Sequence, residues 1–263
     1  MRRSAVAVAT LAVVLAGCGS HARVARHVVP PAPRVVHRRR ARRPLRVAVP
    51  ILMFHVIGSA PLGARFPQLY DPAATFDAQL RWLRAQGFHA VTMQRVWNAW
   101  TRGVPLPARP IVLTFDDGYP GDWRTALPLL QSLRWDGVLN LQVGNLESRH
   151  VLALVRAGWE IDAHTFTHPN LTLVGASRLR HEVAGSRAWI RRAFGVPVDF
   201  FAYPSGRYDS AVVAAVRAAG FLGAETTHFG YAELGDGRFT LDRIRVNGDA
   251  GVVGLAAALG RRA

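Results

Sequence analysis

The sequence has almost no cysteine: one in 263 residues, at position 18. No disulfide can form within the chain, so the fold must rest on its apolar core. Half of the residues are apolar, which at this length supports one large core or at most two small ones. Acid is missing from residues 1–47, which hold eleven arginines and neither Asp nor Glu. The rest of the chain sets 22 arginines against 17 acids, so most of the formal +16 lies in the N-terminal stretch. A bilayer-spanning run is missing there too. The apolar run Ala5 to Gly17 has 13 residues, where roughly 20 are needed. No arginine–aromatic nucleic-acid motif is visible beyond residue 47, so no nucleic-acid partner is expected despite the charge.

What is present at the N-terminus accounts for that charge. Arg2 and Arg3 precede the short apolar run, as in a secretory signal. The run ends in "LAGC", Leu15 to Cys18, which resembles a bacterial lipobox. That resemblance implies a diacylglycerol on Cys18 and a membrane lipoprotein facing the cell envelope or the exterior. An ordinary signal peptide with a chance cysteine is the alternative. Residues 19–47 hold four prolines and many arginines with little apolar periodicity. They read as a tether reaching roughly 90 Å at ~3.1 Å per residue. Its charge suits a polyanion such as an anionic lipid headgroup or a wall polymer. The expected organisation is a signal over 1–18, a tether over 19–47 and a folded domain over 48–263.

From Val47 onward, strand and helix patterns alternate. Strand character appears in "RVAVPILMFH", "FHAVTM", "IVLTF", "GVLNLQV", "WEIDA", "VDFFAY", "FLGAE" and "RFTLDRIRV". Helical spacing appears after Thr75, read as an N-cap, and over about 123–135, 151–157, 177–194, 209–219 and 250–259. On the long helix over 177–194, Arg178, Arg180, Glu182 and Arg187 read as the wet face. Repeated strand–helix units imply parallel strands with right-handed crossovers, here an α/β barrel of about seven units. In such a fold the functional edge lies at the carboxyl ends of the strands. "TFDDG", "WEIDAH" and "FFAYPSG" all pass from a strand into a polar loop at that edge.

The stretch "IVLTFDDGYP" ends a buried strand on two adjacent carboxylates, Asp116 and Asp117. Each is unfavourable to desolvate and each raises the other's pKa. Either they form a solvated Asp-Gly turn, or one holds a cation while the other handles a proton. "HTFTH" supplies two histidines four apart, His164 and His168, which can converge on one metal if the loop turns helically. Two histidines and a carboxylate form a facial set for Zn or a similar divalent ion.

Together these motifs resemble the polysaccharide deacetylases, carbohydrate esterase family 4. "TFDDG" looks like that family's first motif and "HTFTH" like its second, and the resemblance spans about residues 48–250. It implies a distorted (β/α) barrel, with Asp117, His164 and His168 as metal ligands and Asp116 as catalytic base. The metal would be Zn, with Co or Ni as alternatives. The substrate would be an N-acetylated polysaccharide. The family's third motif, Arg-x-Pro-Tyr-Gly, is matched by "AYPSG", Ala202 to Gly206. Pro204 and Gly206 match, and Ser205 takes the position whose backbone N–H serves the oxyanion. The motif's arginine, which orients the base, is absent. Arg243 or Arg245 of "DRIRV" is the candidate to fill its place, a surface pair being the alternative. The late histidine that acts as general acid is also absent, since no histidine follows His228. The pattern "ILMFHVIG" resembles the poly-N-acetylglucosamine deacetylase branch and points to His55, as an imidazolium donor or a packing group. Tyr119 and Tyr203 border the expected site as possible sugar-stacking rings. Trp97 and Trp100 read as core, and Asp162 and Asp209 as turn or cap residues. The activity implied is metal-dependent removal of N-acetyl groups from N-acetylglucosamine units. An O-acetyl esterase and a non-catalytic carbohydrate-binding protein are the rivals.

Overall fold

A computed structural model describes residues 43–235 and 237–261. The proposed signal, Cys18 and nearly all of the tether lie outside the described residues. Ten strands are present: β1 (Ile51–Phe54), β2 (Val56–Ile57), β3 (Tyr70–Asp71), β4 (His89–Ala90), β5 (Pro110–Asp117), β6 (Val138–Leu141), β7 (Glu160–Ala163), β8 (Phe200–Ala202), β9 (Gly223–Phe229) and β10 (Leu241–Arg245). The helices are α1 (Ala73–Ala85), α2 (Met93–Arg102), α3 (Leu127–Leu133), α4 (Ser148–Arg156), α5 (Ala176–Arg180), α6 (Ser186–Phe194), α7 (Ser210–Ala218) and α8 (Gly251–Gly260).

Seven strands close a parallel ring in the order β1-β5-β6-β7-β8-β9-β10 and back to β1, with β4 added outside β5. This is the expected distorted barrel. Closure leaves β5 and β6 with partners on both sides, which is why "IVLTF" and "VLNL" read as near-continuous apolar runs. Below the ring, α2 lays Trp97 and Trp100 against Ile51, Val112, Val138 and Phe200. These residues come from the amino-terminal halves of their strands. One end of the barrel is thus plugged by α2, and the polar loops gather at the other.

Among the helix boundaries that differ from the sequence expectation, two are explained by local geometry. Pro72 caps α1, and Thr75 lies inside its first turn, because Pro fixes φ for helix entry without needing a side-chain cap. The long helix over 177–194 is broken into α5, a wider π turn over His181–Gly185, and α6. That turn rotates Glu182 off the wet face and buries it, leaving 1% of it exposed. Asp209 N-caps α7 by accepting from the Val212 N–H, and Asp162 accepts from the Asp199 and Phe200 N–H groups, so both are structural as expected.

Candidate active site

The barrel interior carries a polar layer beneath the carboxyl edge. Register pairs Asp116 with Asn140, Asn140 with Asp162, and Ala202 with Glu225 across successive strands. Asp116 is buried, and so are Asn140, Glu225 and Arg243. The Arg243 guanidinium holds Asp116 by two hydrogen bonds, Nη1 to Oδ1 and Nη2 to Oδ2, each 2.8 Å. Its Nη1 also reaches Glu225 Oε2 at 3.2 Å, and its Nε donates to the Thr226 carbonyl. Asn140 Nδ2 donates to both Asp116 Oδ1 (2.8 Å) and Glu225 Oε2 (3.0 Å).

Arg243 therefore fills the space left by the missing motif arginine. Ala202 occupies the motif position on β8, and the guanidinium arrives from β10, two strands away. The register between β9 and β10 shifts between Leu241 and Arg243, which re-aims the side chain at that point. Arg243 is 1% exposed, so the reading of a surface pair fails for it. Arg245 is exposed on the cleft rim and makes no bond to Asp116; of the two candidates, only Arg243 holds that carboxylate. Burial opposes ionisation of Asp116, but Arg243, helped by His164 and His55, outweighs it and holds the carboxyl well below the usual range.

The neighbouring carboxylate faces elsewhere. Asp117 has a left-handed backbone, φ 77°, and the next residue is Gly118 at φ 90°. A Cβ on Gly118 would meet Leu141 Cδ1 at 2.9 Å, so that tight exit from β5 requires glycine. The turn sends the Asp117 carboxylate to His164 Nε2 (3.4 Å) and His168 Nε2 (3.7 Å). The two like charges of the "DD" pair are thus separated: one is clamped by arginine inside the barrel, the other faces two imidazoles at the rim.

Asp117, His164 and His168 each offer one ligand atom, and these atoms lie within 4.8 Å of one another. His164 Nδ1 donates to the Ala202 carbonyl at 2.8 Å, which fixes the tautomer and leaves Nε2 free as a lone-pair donor. The set fits a divalent ion of borderline softness. The "HTFTH" loop does not turn helically to achieve this. Thr165 (φ 69°) and His168 (φ 52°) both adopt left-handed backbone instead.

That strained loop is held by Glu182. Its Oε2 accepts from the Phe166 and Thr167 N–H groups (2.9 and 3.0 Å), and its Oε1 from the Thr167 hydroxyl (2.6 Å). Burial works against the Glu182 charge, but these hydrogen bonds hold its carboxyl below the ordinary range.

A cleft of about 650 Å³ opens over this edge, lined by His55, Asp116, Asp117, His164 and Ser205 among others. Ser205 sits in the turn Pro204–Gly206, with φ 54°. Tyr119 is half-buried beside Asp117, and burial together with that carboxylate pushes its hydroxyl up to about 12. Tyr203 is corrected as a stacking ring. Its side chain is fully buried, packs on Phe201 and Tyr208, and donates its hydroxyl to the Phe239 carbonyl. His55 lines the cleft, but burial pushes its imidazole down to about 4 against the pull of Asp116 and Asp117. Of the two alternatives, this favours the packing group over the imidazolium donor, and its Nδ1 has no hydrogen-bond partner among the described residues.

Three functional-looking residues escaped the sequence reading: Asn140, Glu182 and Glu225. Asn140 had a signal, since it is the lone polar residue of an apolar strand, whereas Glu225 begins a polar run, Glu225 to His228, that reads as the strand's exit. Glu182 had none, because helical spacing places it on the wet face.

With this geometry in hand, comparison with known proteins is direct. A family model described as polysaccharide deacetylase matches residues 103–224. YxkH of Bacillus subtilis (strain 168), named for the same family, is 26% identical over 205 residues, covering 76% of this chain and 71% of the relative. The poly-beta-1,6-N-acetyl-D-glucosamine N-deacetylase of Escherichia coli (strain K12) is 40% identical over 60 residues, 23% of this chain but only 9% of that protein. Among solved structures, the Streptococcus pyogenes deacetylase PplD in complex with acetate aligns with TM-score 0.75 and 23% identity, covering 82% of this chain and 99% of that one. IcaB from Ammonifex degensii aligns with TM-score 0.71 and 23% identity over 81% of this chain and 97% of that one. The chain is thus similar to the polysaccharide deacetylases, over just under half of its length by the family model, and shares their fold.

Proposed function

We propose that this domain hydrolyses N-acetyl groups from N-acetylglucosamine units of a cell-surface or wall polysaccharide, with a divalent cation held by Asp117, His164 and His168. The observation that carries this reading is the bidentate Arg243–Asp116 pair opposite that donor set. A protein that only bound sugar would have no use for a second carboxylate, kept ionised in the barrel and oriented toward the cleft. When bound, the cation supplies a Lewis acid that lowers the pKa of water and polarises a carbonyl.

The remaining work falls to the chain. Asp116, ionised and fixed in direction by Arg243 and Asn140, takes the proton of the attacking water. The Ser205 backbone N–H, at the turn that borders the cleft, faces the developing oxyanion. Glu225 shares Arg243 with Asp116, and burial pushes its carboxyl up to about 7, so it competes only weakly for the guanidinium. The amine must be protonated as it leaves. His55 rests neutral and becomes a donor only by first accepting a proton, whereas Asp116 carries one after the first step. Asp116 is therefore the base and then the acid, and His55 is a neutral hydrogen-bonding group in the same cleft.

Acetate release tests this reading. The purified domain loaded with Zn should free acetate from N-acetylglucosamine oligomers and not from O-acetylated xylan. Release from the ester alone would make it an O-acetyl esterase, and release from neither would leave a carbohydrate-binding protein.

The location we propose rests on sequence pattern: an extracytoplasmic lipoprotein anchored at Cys18, with the basic tether between membrane and catalytic domain. Cys18→Ala should move the protein from the membrane fraction to the soluble one. Unchanged partitioning would make the basic tether the anchor.

A further inference from the structure

A smaller cavity of about 240 Å³ lies beside the main cleft, where the ends of β9 and β10 meet α8. The two share Thr227 and Arg245 as a common wall. On the far side, α8 presents a smooth apolar surface through Gly254, Leu255 and Ala258. The charges are all of one sign, from Arg243, Arg245 and Arg261, and no carboxylate lines the cavity.

These arginines are not equally occupied. Arg243 is committed to Asp116 and Glu225. Arg245 makes no hydrogen bond or ion pair with any described residue. Arg261 lies over the half-exposed Phe229 ring, 5.3 Å from its centroid, with no acidic partner among the described residues. Asn247 also lines the space. Two guanidiniums with no ion-pair partner among the described residues and an apolar wall meet at the edge of the main cleft. Guanidinium forks match the oxygens of a carboxylate or phosphate and bind them more strongly than neutral donors would.

We propose that this cavity is a subsite for an oxyanion, carboxylate or phosphate, carried by the sugar next to the one that loses its acetyl group. The inference rests on the deacetylase reading above and narrows its substrate. The preferred polymer is an anionic glycan, not a neutral chain of N-acetylglucosamine. The apolar wall of α8 accommodates the short carbon arm that would carry the anion.

The test compares three oligosaccharides of equal length on the Zn-loaded protein. One is a plain N-acetylglucosamine oligomer, one carries a lactyl carboxylate on alternate sugars, and one carries a phosphate on the neighbouring sugar. The kcat/KM for at least one anionic oligomer should exceed that for the neutral one by roughly tenfold, through KM. The preferred anion identifies the source. Arg245→Gln and Arg261→Gln should each lower the anionic-to-neutral ratio several-fold, with Arg245→Lys restoring part of it. Added salt should lower the same ratio. A wild-type ratio near one with good turnover of the neutral oligomer overturns the subsite and leaves the deacetylase reading standing. So does a high ratio that neither glutamine variant changes. Acetate from none of the three overturns the deacetylase reading, and the subsite with it.

Discussion

Asp116→Asn should lower turnover by roughly 10²–10⁴-fold, the usual contribution of a positioned base, while metal content stays near one ion per chain. The amide keeps the shape and one acceptor oxygen for Arg243, but it cannot take a proton from water. The substitution should also leave the fold intact, for a reason visible in the buried layer. Removing one partner of a buried ion pair is destabilising when the other charge is left alone. Here Glu225 is a second carboxylate on the same guanidinium, and part of what raises its pKa is the Asp116 charge. With that charge gone, Glu225 ionises more readily and becomes the counter-ion of Arg243. The converse change has no such reserve. Arg243→Gln strands Asp116 and Glu225 in the barrel without their shared cation, so it should lose both activity and thermal stability. The measurements are kcat on N-acetylglucosamine oligomers, metal content by elemental analysis and the melting temperature of each variant. Activity in Asp116→Asn within about threefold of wild type would remove Asp116 from the base role.

How far the sequence alone reached depends on what kind of signal each residue carried. The barrel was legible because its period is repeated along the chain: apolar strand, polar loop, amphipathic helix. Asp116, Asp117, His164 and His168 were legible because they sit next to one another in two short motifs. Arg243 was legible only as one of two candidates. It acts across the ring, from a strand two removed from the motif position at Ala202, and spacing along the chain does not encode that distance. His55 was placed at the cleft, but the choice between an imidazolium donor and a packing group stayed open, because its burial depends on the packing around β1. Tyr203 was misread for a similar reason. Its neighbours in sequence lie at the site, yet its ring turns inward to Phe201 and its hydroxyl is satisfied by Phe239. Glu182 shows the limit most clearly. A regular helix over 177–194 would expose it, and only the π turn brings it under the histidine loop.

His168→Ala should abolish stoichiometric metal binding, and Glu182→Gln should weaken it without removing any ligand. The first effect follows from count. Two protein ligands cannot replace the facial set of three, and the affinity of such sites falls steeply when one donor is lost. The second follows from the loop. Thr165 and His168 hold left-handed backbone at a cost of order 1–3 kcal/mol each, and the Glu182 carboxylate offsets that through three hydrogen bonds. A glutamine side chain keeps one carbonyl acceptor, but its amide nitrogen would face either backbone N–H donors or the Thr167 hydroxyl. The loop should then sample other conformations, and His168, the more exposed of the two histidines, should lose its aim first. Metal affinity should fall roughly 10–100-fold, as is typical when the support of a ligand is lost. Competition with a chromogenic chelator measures that affinity. The visible spectrum of the Co-substituted protein reports whether the ligand geometry has changed, which a general loss of stability would not alter. Glu182→Asp, too short to reach all three donors, should resemble the glutamine variant. Full metal content in His168→Ala would overturn the ligand set. An unchanged affinity and Co spectrum in Glu182→Gln would mean the loop holds its own shape without the carboxylate beneath it.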